Sequence, residues 1–224
     1  MTERGNGREG VRAGEREMET PSRFPDLTIS RLLDLTTSRS PDFTDSVIYT
    51  IGHGNRSIEE LLGLLGDCAV ECLVDVRACP ASRRHPQFAR AALGKSLATA
   101  GIRYVWEGKA LGGRRQSVPD SPHVALGNPA FRAYFDYMAT NEFHRGVERL
   151  LDVARATRTA ILCAERLPSK CHRCLVADSL VVRGAAVEHI IGANAMQQHA
   201  LNPLARPQGD NLVYDAGEQR ALKV

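Results

Sequence analysis

The 224-residue sequence has no apolar run approaching the roughly 20 residues that a membrane-spanning helix needs, so no such span is expected. Its first 20 residues hold no apolar core of the kind a secretory signal carries. Aromatic residues are scarce, 5% of the chain with a single tryptophan. That leaves little for a base-stacking platform, and Phe88, Tyr104 and Trp106 are expected in the core. Neither sign of charge dominates: 29 Lys and Arg face 26 Asp and Glu, a net of +3. Recognition of an anion would therefore have to come from local grouping of charge. There is no internal repeat. Six cysteines are present, but they fall in strand-like and helix-like segments instead of a small, loop-rich framework. Reduced thiols and a cytoplasmic location are the expectation.

What is present begins with residues 1–45, rich in Gly, Glu, Arg, Ser and Thr. The first 46 residues carry seven Arg against nine acids, too polar to offset the entropy of ordering, and predict a disordered leader. From residue 47 the pattern changes. Residues 47–51 form an apolar, β-branched run of the kind a buried parallel strand shows. Ser57 and Glu60 make a capping box ahead of Leu61, Leu62, Leu64 and Leu65. Further strands are expected at 72–76, 102–106, 160–163 and 187–191, with helices over 88–100, 131–138, 147–156 and from 171 to a stop at Gly184. Such alternation means βαβ units with right-handed crossovers. The expected fold is α/β, a single three-layer domain over residues 46–195 with a mainly parallel sheet of about five strands. Residues 196–224 are expected to form an irregular tail.

Each strand hands over to a polar cluster. The first is followed by His53, Asn55 and Arg56. The second ends in Asp75 and Arg77 and leads to Ser82, Arg83, Arg84 and His85. Glu107, Lys109, Arg114 and Arg115 follow the third, and Cys163, Glu165 and Arg166 close the fourth, with Cys171, His172 and Arg173 across the turn. In a parallel sheet these ends share one edge, where open α/β folds bind ligands. Residues 75–115 contain nine Lys or Arg and two acids, a basic rim suited to phosphate.

Asp75 and Glu165 form a candidate carboxylate pair for acid–base or nucleophilic work at a sugar or phosphate bond. Either could instead orient an arginine, Asp75 through Arg77 or Arg84 and Glu165 through Arg173. Cys171, at a helix start beside His172 and Arg173, is a candidate nucleophile. The spacing of Cys163, Cys171, His172 and Cys174 does not reproduce the paired C-x-x-C pattern of structural zinc sites, and no metal and no cofactor is expected.

These motifs also resemble a known family. Residues 49–57 (YTIGHGNRS), residues 73–77 (LVDVR) with Pro80, Ser82, Arg83, Pro86 and Phe88 following, Leu111-Gly112-Gly113, and Cys163, Glu165, Cys171, His172 and Arg173 are similar to those of the bacterial and archaeal family called domain of unknown function 488. The resemblance spans about residues 47–191. It implies a compact cytosolic α/β domain with these motif residues at its site, and no established activity. Two positions depart: Gly54 stands where a small hydroxyl residue is usual, and Cys174 where Ser or Arg is common. The stretch around Asp75 and Arg77 is also similar to one in rhodanese-type sulfurtransferases, although the distance from Cys163 to Cys171 fits that pattern poorly.

The sequence thus predicts an enzyme, a candidate hydrolase, acting on a nucleotide or nucleic acid. His53, Asp75, Glu165 and Cys171 would be catalytic, and Asn55, Arg56, Arg77, Ser82, Arg83, His172 and Arg173 would bind substrate. The alternatives are a non-catalytic module binding the same anionic small molecule or nucleic acid, and a rhodanese-like thiol enzyme using Cys171.

Overall fold

The structure, a computed structural model, describes residues 47–214 except 82, 120, 122, 124–127 and 210. The expected leader over 1–45, the end of the tail and the site residue Ser82 lie outside the described residues.

The chain opens with β1 (Val47–Gly52), whose Ile48 and Ile51 are fully buried. Helix α1 (Ile58–Asp67) follows as the capping box predicts: the Ser57 hydroxyl accepts the Glu60 N–H at 3.1 Å, and Leu61, Leu64 and Leu65 turn inward. Then come β2 (Cys72–Asp75), a 3-10 turn (Pro86–Phe88), α2 (Arg90–Thr99) and β3 (Arg103–Trp106). Short α3 (Gly108–Leu111) leads to α4 (Pro129–Met138) and α5 (Asn141–Ala156). Thr140 caps α5, and Phe143, Val147, Leu150, Leu151 and Ala154 form its buried stripe. Each fully buried Leu or Val there is worth about 1.5–3 kcal/mol, which fixes α5 against the sheet despite its otherwise polar sequence. The remaining elements are β4 (Thr159–Cys163), a 3-10 turn (Pro168–Lys170), α6 (Arg173–Val182), β5 (Ala186–Gly192), β6 (Ala195–Gln198), β7 (Arg206–Gln208) and β8 (Asn211–Val213).

Six strands form the main sheet in the order β3-β2-β4-β1-β5-β6. All its pairings are parallel except β5 with β6. One face packs Ile51, Leu73, Ala160, Leu162 and Ile190 against leucines of α1 and α2. The other packs Ile48, Val74, Ile161 and Val187 against α4, α5 and α6. The fold is therefore α/β with three layers.

The sequence reading of an irregular tail from 196 is corrected. Ala195–Gln198 pairs with β5, and β7 and β8 form a second, two-stranded sheet. All four residues of β6 are exposed, so no alternation of apolar and polar residues marked it; a tight turn with Asn194 at φ 54° folds it back. Among the described residues no helix is long and apolar enough to cross a membrane.

The order of strands decides where a ligand can sit. From β1 and β2 the chain leaves through α1 and α2 on one face; from β4 it leaves through α6 on the other. β4 lies between β1 and β2. Connections that part to opposite faces open a crevice at the carboxyl ends of these neighbours, the topological switch point.

Candidate active site

The crevice is occupied by the loop that follows β4. After Cys163 the backbone keeps pairing with the β1 end: the His53 N–H donates to the Cys163 carbonyl at 3.0 Å and the Gly54 N–H to the Ala164 carbonyl at 2.8 Å. Gly52 permits this approach, since a Cβ there would stand 1.8 Å from the Glu165 carbonyl oxygen. The 3-10 turn Pro168–Lys170 then brings the chain back, so that Cys171 and His172, at the head of α6, face Cys163.

A cleft of about 270 Å³ opens above these residues, walled by Arg77, Gly113, Arg114, Glu165 and Lys170 with Cys163, Cys171 and His172 as its floor. The His172 Nδ1 lies 3.6 Å from the Cys163 Sγ and 3.8 Å from the Cys171 Sγ. Its ring is set by packing: Tyr134 meets it edge-on at 5.1 Å, and Gly113 lies so close that a Cβ would come within 2.5 Å of Nδ1. The Nε2 of His172 is buried without a partner among the described residues. The two thiols divide one proton. Cys163 is pushed far up and stays a thiol, whereas Cys171 is held well below the ordinary range, first by the hydrogen bond from Cys163 and then by His172 and Arg173.

The rim is chemically different from the floor. Glu165, Arg114 and Lys170 are exposed, and among the described residues their side chains have no hydrogen-bond or ion-pair partner. Arg115 and Arg149 nearby are committed. Arg115 donates to the Gly112 and Lys109 carbonyls and lies over the Tyr137 ring, and Arg149 pairs with Glu107.

Four of the residues read from the sequence, Arg77, Glu165, Cys171 and His172, meet in this cleft. The others have different positions. Asp75 is fully buried and accepts the Arg77 N–H, Nε and Nη2 at 3.0, 2.9 and 2.6 Å and the Tyr104 hydroxyl at 2.7 Å. Both its oxygens carry two donors, which fills a carboxylate's acceptor capacity. It anchors Arg77 in the cleft wall instead of facing a substrate. Arg56 and Arg173, expected to hold phosphate, are buried and bond backbone carbonyls: Arg56 those of Gly52 and Ile191, together with the Glu60 carboxylate, and Arg173 those of Glu165 and Arg166. They satisfy carbonyls left at strand ends and in the loop, which would be costly to bury bare. His53 stacks on Phe88 at 4.4 Å and is lowered to about 4, mainly by burial. Asn55 and Arg83 are exposed and outside the cleft lining. Phe88 is core as expected, and Trp106 donates to the Arg77 carbonyl at 2.9 Å.

A family model described as Domain of unknown function DUF488 matches residues 57–180, more than half of the chain. The chain belongs to that family. No curated protein and no solved structure matches it. The matched span of this DUF488 member runs from the Ser57 cap through most of α6 and so contains every residue lining the cleft. Sequence reasoning underrated Cys163, Lys170 and Arg114. Cys163 was visible as the last residue of an apolar run, and Arg114 within the basic block. Nothing in the sequence marked Lys170, whose place depends on the 3-10 turn.

Proposed function

We propose that the protein is an enzyme acting on a phosphate-bearing substrate, a nucleotide or nucleic acid, bound in the cleft at the ends of β2 and β4. The observation that carries this reading is the contrast inside one cleft. Groups able to do chemistry on the floor lie beneath a carboxylate, Glu165, and two cations, Arg114 and Lys170, that no described residue neutralises. Arg114 and Lys170 would hold phosphate oxygens, Arg offering two parallel donors and Lys a point charge. Glu165 would move the proton at the bond being cleaved. Because Asp75 is taken up by Arg77 and Tyr104, the second group of the mechanism comes from the floor and not from a carboxylate pair.

The test is Glu165→Gln against a panel of nucleotides and oligonucleotides. Loss of a positioned acid–base group lowers turnover by about 10²–10⁴-fold while binding is retained, since the cations remain and a negative charge beside the anion is removed. Unchanged turnover in the variant removes Glu165 from the mechanism. Absence of turnover across the panel, with binding that falls steeply as salt rises, makes the cleft a binding site without chemistry.

A further inference from the structure

The floor of the cleft has a property that its charge does not explain. Two sulfurs and one imidazole nitrogen, from the end of β4 and the head of α6, lie within 4.8 Å of one another. Their separations can be compared with what a metal would impose. Zinc bonds thiolate at about 2.3 Å and imidazole at about 2.0–2.1 Å, so ligands at tetrahedral angles stand roughly 3.6 Å apart for S to N and roughly 3.8 Å for S to S. The observed distances from His172 Nδ1 to the two sulfurs are 3.6 and 3.8 Å. Both S-to-N separations agree with that edge to within about 0.2 Å, and the two sulfurs lie within 4.8 Å of each other.

We infer that Cys163, Cys171 and His172 form a zinc site with three protein ligands and a fourth position open to the cleft. The donor set suits a thiophilic cation: two soft sulfurs and an imidazole select zinc over magnesium or calcium, which take oxygen. Three protein ligands with an open place is the pattern of catalytic zinc, whereas structural sites close all four positions. The open direction follows from the surroundings. Cys163 and Cys171 are buried against the core on their other sides, and all three ligands line the cleft below Glu165 and Lys170. The ring of His172 is already oriented by Tyr134 and Gly113, so binding needs no reorganisation of that ligand. The C-x-x-C rule could not find this set, because it describes ligands on one hairpin or knuckle. Here one ligand ends a strand and two begin a helix.

The metal's purpose, to present a water or a substrate oxygen to Glu165, rests on the functional reading above; its existence does not. Full-length protein, reduced and stripped with a chelator, is titrated with zinc against a chromophoric competitor. One zinc per chain is expected. Cys163→Ser, Cys171→Ser and His172→Ala should each weaken it by at least about 100-fold, beyond what loss of an outer-shell partner costs, while Cys68→Ser, just past the end of α1, leaves it unchanged. No stoichiometric zinc, or equal affinity in all four variants, overturns the site. Should a ligand variant fail to fold, wild-type protein answers instead. Zinc should slow alkylation of Cys163 and Cys171 at least about tenfold, since a metal-held thiolate is not free to attack, without slowing that of Cys79. Equal protection of all three cysteines overturns it as well. Zinc bound with no turnover leaves the metal site standing and removes the enzyme, and turnover by protein that takes up no zinc removes the site and leaves the enzyme.

Discussion

Two clusters of titratable side chains lie at α6, one at its head and one about Asp178 beside β5 and β6, and they differ in what they leave unfinished. Beside β5 and β6, the Thr50 hydroxyl meets His189 Nδ1 at 2.6 Å, His189 Nε2 meets His199 Nδ1 at 2.9 Å, and His199 Nε2 meets Asp178 Oδ1 at 2.9 Å. Asp178 also accepts from the Asn202 N–H and the Tyr214 hydroxyl. A carboxylate can only accept, so His199 donates to Asp178 through Nε2, and every ring nitrogen of the two histidines has a partner. The network has no spare valence, although it borders a cleft of about 380 Å³ that is larger than the one over Cys171. At the Cys171 cleft the opposite holds. Glu165, Arg114 and Lys170 have no partner among the described residues, and His172 keeps a buried nitrogen unpaired. Chemistry needs groups with capacity left over, and a saturated network fastens elements together. That criterion, and not cleft size, separates the candidate active site from a clasp that holds the chain after β5 to α6.

The sharpest way to break this comparison is to remove one carboxylate from each cluster. Asp178→Asn should destabilise the fold by about 2–3 kcal/mol, the range for hydrogen bonds to a charged group with a buried partner left wanting. Glu165→Gln should move stability by no more than about 0.5 kcal/mol, as for surface changes away from any network. Urea melts of the two variants beside wild type give both numbers. Equal losses would mean that Glu165 is held by something structural and that the contrast is false.

The same contrast explains what the sequence could and could not disclose. Ile48, Ile51, Val74 and Ile161 sit in strands covered on both faces, and such strands read as continuous apolar runs, so β1, β2 and β4 were legible. The Ser57 cap was legible because its hydrogen bond is local. Strand β6, exposed throughout, carried no pattern at all. At the site the residue types were legible and their partners were not. Arg56 and Arg77 look alike in sequence, yet one is drawn to the Gly52 and Ile191 carbonyls and the other to Asp75. Which acceptor needs a donor is settled by how strands from distant parts of the chain end beside one another. The floor was hidden for a related reason: Cys163 and Cys171 meet only because a 3-10 turn closes the loop between them.

A second, smaller effect is expected on acidification. Burial first, then the charges of His199 and Arg173, lower His189 from 6.5 to about 4, with Asp178 opposing. A histidine whose folded value is depressed takes up its proton more readily in the unfolded chain. Its contribution is therefore complete above about pH 6.5 and is lost as pH falls towards 4. Between pH 7 and pH 5 this amounts to about 2 kcal/mol. His189→Gln should cost stability at pH 7 and flatten that part of the profile, which thermal melts at several pH values will show. A wild-type profile that is flat from pH 7 to 5, or a His189→Gln profile as steep as the wild type's, would mean that His189 is not neutral in the fold.

The smallest expected effect on stability belongs to the rim cations, and for them a near-zero value is the informative one. Arg114 and Lys170 are exposed and touch no described partner, so Arg114→Ala and Lys170→Ala should each change the unfolding free energy by less than about 0.5 kcal/mol. If they hold phosphate, both variants must nonetheless weaken binding of a nucleotide or short oligonucleotide. Each removed contact should also lower the slope of log affinity against log salt by about 0.7–0.9, because one fewer counterion is released. Arg115→Ala is the internal control: that guanidinium is already bonded to two carbonyls and stacked on Tyr137, so its loss should reach stability first and leave the salt slope alone. Affinity that survives in both rim variants would show that the free cations are ordinary solvated charge. The cleft would then keep its cysteine and histidine floor but lose its claim on a phosphate.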